Sequence, residues 1–65
     1  MTDADKIEAL LDLVDDARTP NTQASEALVV LGLAARQGKG YTPTNAGWHL
    51  MGDRGRAFDA TYRRG

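Results

Sequence analysis

Gly32 constrains this chain more than any other residue. It stands in Leu31-Gly32-Leu33, directly after a segment with helical periodicity and directly before one without it. Glycine readily takes the left-handed conformation that closes a helix, so the helix stops there and Leu33 begins a different element. That element is built from Leu33-Ala34-Ala35-Arg36, then the basic turn Gln37-Gly38-Lys39-Gly40, then Tyr41-Thr42-Pro43. Two short extended runs around a glycine-rich turn predict a β-hairpin, with Pro43 limiting the second run to a strand end or an edge. A chain that sets a hairpin between helices is α+β, and 65 residues leave room for one domain.

The flanking segments carry helical patterns. Ile7, Leu10, Leu11, Val14 and Ala17 recur at the spacing of one helical face, which predicts a first helix over 3–17 with Thr2 or Asp3 as its N-cap. Asp3 and Asp5 suit the positive end of that helix and Arg18 the other end. Thr19-Pro20 stops it, because the residue before proline avoids the helical region. A second helix is expected over 22–31, capped by Asn21 or Thr22, with Ala24, Ala27, Leu28 and Leu31 on one face. A third is expected from Thr44 or Asn45 through Met51, interrupted at Gly52. Residues 52–65 read as a basic C-terminal extension of a single domain spanning residues 1–65. Gly55 is a second break there, and a last turn would bring Phe58 and Tyr62 back onto the core.

Composition excludes several functions. There is no cysteine and one histidine, His49, so disulfides, thiolate metal sites and a thiol nucleophile are ruled out, and neither a metal nor a cofactor is expected. Asp12, Asp15 and Asp16 read as a solvated helix face, since nothing near them in sequence supplies a nucleophile. Gly38-Lys39-Gly40 lacks the rest of a phosphate-binding loop. The expectation is therefore a protein that is not an enzyme. No apolar run nears the roughly 20 residues of a membrane span. The acidic start has the wrong sign for a secretory signal, and a cytoplasmic protein is expected. Net charge is −1 but unevenly spread. Residues 1–17 hold six acids against Lys6, whereas residues 18–65 hold seven bases against three acids. That polarity hints at a basic binding surface on the second part.

The stretch from Ala27 to Met51 resembles the winged helix-turn-helix DNA-binding domains of bacterial regulators. A helix ends in a Leu-Gly-Leu step, a two-stranded basic wing comes next, and Tyr41, Thr44 and Gly47 lead into a helix carrying the apolar pair Leu50-Met51. The resemblance implies a small winged-helix-like domain of three helices with a hairpin wing. It is a reduced one, because one convincing helix, not two, precedes Thr22. It also implies double-stranded DNA as partner. Asn21, Thr22, Gln23 and Ser25 would face the major groove, where amide side chains pair with adenine. Arg36 and Lys39 on the wing would meet phosphate or the minor groove, and Arg54 and Arg56 would add backbone contacts.

Other residues point to protein contacts. Leu28-Val29-Val30-Leu31 is apolar on every side of its helix, and Leu13 and Ala9 lie off the first helix's main stripe. Leu13, Val29 and Val30 are thus candidates for a protein interface, most simply a homodimer. Trp48 is expected in the core and His49 on the surface. The reading is a small DNA-binding regulatory or accessory protein. The alternative is a non-enzymatic interaction module, such as a phage-type inhibitor, that binds a protein through an apolar helix face.

Overall fold

The computed structural model describes residues 1–63, and the side-chain surroundings of residues 1–58. In chain order the elements are α1 (Asp3–Val14), α2 (Thr22–Val30), β1 (Ala34–Gln37), β2 (Gly40–Pro43), α3 (Asn45–Met51) and α4 (Asp53–Arg63). The architecture is α+β: four helices and one two-stranded antiparallel sheet among the described residues. The helix α1 lies at the centre and packs against α2, β2, α3 and α4.

Capping chemistry sets the helix starts. Thr2 begins α1 with a reciprocal box: its hydroxyl accepts from the Asp5 N–H, and the Asp5 carboxylate accepts from the Thr2 N–H. That carboxylate is held below the usual aspartate range by its bonds to the Thr2 backbone and hydroxyl. Asn21 caps α2 by accepting from the Ala24 N–H, and Thr44 caps α3 by accepting from the Gly47 N–H.

Three features of the first helix and its exit differ from the 3–17 expectation. Asp15 leaves the helical region at φ −99 and ψ 112 and ends α1 at Val14. Its carboxylate then accepts from the Ala17 N–H at 2.9 Å, fixing a tight turn. Ala17 is left exposed, and Arg18 folds back along α1 to Glu8, Asp12 and Asp15 at 2.9, 3.3 and 3.5 Å.

The Leu-Gly-Leu step behaves as its composition demands. Gly32 sits at φ +79, and the Gly32 and Leu33 N–H groups close back on the Val29 and Leu28 carbonyls at 3.0 and 2.9 Å. This double closure satisfies carbonyls that the helix end would otherwise orphan, and it turns the chain into β1. The hairpin pairs Ala34 with Pro43 and Arg36 with Tyr41, leaving Gly38-Lys39 as a two-residue loop. Gly38 takes φ +57 whereas Gly40 does not enter positive φ, the pattern of a turn with glycine at its first central position.

Ala9, Leu10, Leu11, Val14, Leu28, Ala34, Trp48 and Met51 form the core. Leu10 and Leu28 are fully enclosed, and burial of each such side chain contributes about 1.5–3 kcal/mol. After Gly52 the chain continues as α4. Gly52 ends α3 at φ 56, α4 starts at once, Gly55 is buried against Met51, and Phe58 packs on the core cluster. Arg54 ties α4 to α1 through Glu8 at 2.6 Å. The core contact expected of the Tyr62 side chain lies outside the described residues. No helix among the described residues is long and apolar enough to cross a membrane.

Candidate nucleic-acid interface

The phase of α2 decides which of its residues meet solvent. Ser25 and Leu28 point inward, and Ser25 is only 2% exposed. Ser25 therefore has no surface to offer a groove, which corrects the expectation that it faces DNA. Asn21, Thr22 and Gln23 are exposed at the first turn. The Asn21 side-chain oxygen is already engaged on Ala24 at 3.0 Å, leaving its NH2 end as donor. Gln23 keeps its whole amide without a partner among the described residues.

Glu26 joins this helix to the hairpin. It lies four residues after Thr22 and three after Gln23, on their side of α2. Both ends of the Arg36 guanidinium edge donate to it: Nε to Oε2 at 3.1 Å, and Nη2 to Oε1. The Tyr41 hydroxyl donates to Oε2 as well. Arg36 and Tyr41 are directly opposite each other across the two strands, so one carboxylate clips both to α2. The Arg36 guanidinium, then the Tyr41 hydroxyl, hold the Glu26 carboxyl below the usual glutamate range. Glu26 in turn raises the Tyr41 phenol above its ordinary value. The result is one polar face running from Thr22 and Gln23 through Glu26 to the hairpin.

The four basic residues expected on DNA do not share one condition. Arg36 is bound to Glu26, Arg54 to Glu8, and Arg56 to Asp53 on its own helix at 3.1 Å. Lys39, at the tip of the hairpin, is exposed and has no ion pair among the described residues. Lys39 is therefore a free charge at the hairpin tip, whereas Arg54 serves the α1–α4 contact. Sequence reasoning missed Glu26 and Tyr41. No local spacing signals a contact between residues ten or fifteen positions apart, and their meeting becomes visible only once the hairpin register is known.

The expected protein-contact residues separate in the same way. Leu13 and Val29 are half-buried and pack against the core cluster. Val30 is 85% exposed, and Leu31 beside it 49%. Trp48 is buried in the core and His49 is exposed. No group of three or more potential metal ligands is clustered among the described residues.

Comparison with protein-family models, curated proteins and solved structures finds no match for this chain. The functional reading rests on its own residues.

Proposed function

We propose that this chain is a non-enzymatic, winged-helix-like protein that binds double-stranded DNA, with the first turn of α2 as reading element and the β1–β2 hairpin as wing. The observation that carries this reading is the Glu26 clip. It marks where the exposed Thr22-Gln23 turn and the hairpin lie side by side on one polar face. A helix N-terminus favours anionic phosphate oxygens, and a free glutamine amide matches the adenine edge in the major groove. Lys39 supplies an unpaired cation at the tip. With Glu26 neutralised by Arg36, the face carries net positive charge despite the acidic balance of the whole chain.

The test is titration of the protein against a short mixed-sequence duplex over a salt series. Binding should weaken as salt rises. Lys39→Ala should reduce the slope of log K against log salt by about 0.9, the share of one phosphate contact. Gln23→Ala should leave the slope alone and flatten sequence preference. No affinity at low salt removes the reading.

One observation favours a second reading. Val30 and Leu31 present adjacent apolar surface at the end of α2, and such surface marks protein contacts. On that reading the chain is an interaction module, with a second copy of itself as the simplest partner. Association would then resist salt and be lost in Val30→Asp.

A further inference from the structure

We infer that Glu26 is an autoinhibitory contact, which holds Arg36 on the protein in place of DNA phosphate; the inference rests on the DNA-binding reading above. Three observations lead to it. The first is geometric. Arg36 offers Glu26 the edge formed by Nε and Nη2, one donor to each carboxylate oxygen. This is the fork that arginine presents to phosphate, so one edge serves one anion at a time.

The second concerns location. Of the ion pairs formed by the described residues, this one bridges the two elements of the candidate interface, α2 and β1. The Arg36 side chain is 63% exposed within it, so a phosphate would reach the guanidinium without any rearrangement of the core.

The third is the role of Tyr41. Its hydroxyl also donates to Glu26, from the strand position opposite Arg36. The carboxylate is thereby held by two side chains of the hairpin, Arg36 and Tyr41. The wing thus has two cations in different states: Lys39 is available at the tip, and Arg36 is masked at the base.

An exposed pair of this kind is a weak competitor, which suits a mask that a duplex or a charged effector could lift. Its removal should improve DNA affinity by about 1.4- to fivefold, the range spanned by measured surface ion pairs. The salt slope should steepen by about 0.9 as Arg36 gains a phosphate.

The experiment is a double-mutant cycle on the full chain: wild type, Glu26→Gln, Arg36→Gln and the double variant. Each is titrated with the same short mixed-sequence duplex over a salt series, after circular dichroism establishes an unchanged fold. The expected result has three parts. Glu26→Gln binds more tightly with a steeper slope. Arg36→Gln binds more weakly than wild type with an unchanged slope, because Glu26 is left unneutralised on the face. The double variant loses the gain. If Glu26→Gln binds no better than wild type, or if the double variant keeps the steeper slope, the masking role is overturned while wild-type DNA binding stands. If neither wild type nor Glu26→Gln binds duplex at low salt, the DNA reading itself fails and the mask fails with it.

Discussion

Gly47→Ala should destabilise the fold by about 2 kcal/mol, although alanine is the better helix former. A Cβ at this position would stand 2.2 Å from the Leu33 carbonyl oxygen and 3.1 Å from Leu10 Cδ2. The Leu33 carbonyl cannot turn away, because it accepts the Thr44 N–H at 3.0 Å and lies at the entry to β1. Carbon and oxygen need about 3.3 Å even in their closest favourable contacts, so α3 must retreat by about 1 Å. Retreat loosens Trp48 and Met51, which α3 delivers to the core. Overpacking of this kind costs about 1–3 kcal/mol, and the strained Thr44–Leu33 hydrogen bond is worth about 1 kcal/mol more. The helical preference of alanine over glycine returns about 1 kcal/mol. For a domain of this size a net loss of about 2 kcal/mol lowers Tm by about 8–16 °C. The assay is thermal unfolding followed by far-ultraviolet circular dichroism. An unchanged or raised Tm would refute the close approach of α3 to Leu33, since alanine at an unobstructed helical site stabilises.

Thr44→Ala removes both the cap on Gly47 and the hydroxyl donated to the Gly32 carbonyl at 2.7 Å. Urea unfolding should show a loss of about 1–2 kcal/mol, and a change below a few tenths would mean that the link between the end of α2 and the start of α3 adds nothing to stability. Acid should weaken the fold through Glu8, whose carboxyl is held below the usual range first by Arg18 and then by Arg54. Because its folded value is depressed, its contribution is complete above the ordinary glutamate range, about pH 4.3, and is lost as pH falls from there through the lowered folded value. Glu8→Gln should flatten the fall in Tm over that acidic window and leave the neutral region without a pH slope of its own, as a pH series of melting curves would show.

The elements most visible in the sequence were those fixed by local chemistry. Asn21 and Thr44 cap their helices because a short polar side chain stands just before an apolar-periodic run. Gly32 closes α2, and Gly38 turns the hairpin, because positive φ is cheap for glycine. The α4 helix was hidden for a corresponding reason. Gly52, Gly55 and a polar run argue against a helix locally, and contacts of Gly55 with Met51, of Arg54 with Glu8 and of Phe58 with the core help to organise it. Tertiary packing also overrode the reading of α2. Ser25 looks like a surface residue by composition, yet it shares the inward phase of Leu28. At the candidate interface, the exposed turn Asn21–Gln23 and Lys39 were legible. The pairing of Glu26 with Arg36 and Tyr41 was not, because it depends on which strand face meets the helix.

The central proposal is that duplex DNA meets the first turn of α2 and the hairpin together. Amide chemical-shift mapping on isotopically labelled protein during addition of duplex tests it most directly. Shifts concentrated at Asn21, Thr22, Gln23 and from Gln37 to Gly40, with Val30 and Leu31 unmoved, are the predicted result. Perturbations confined to Val30 and Leu31, or none anywhere at low salt, would contradict it.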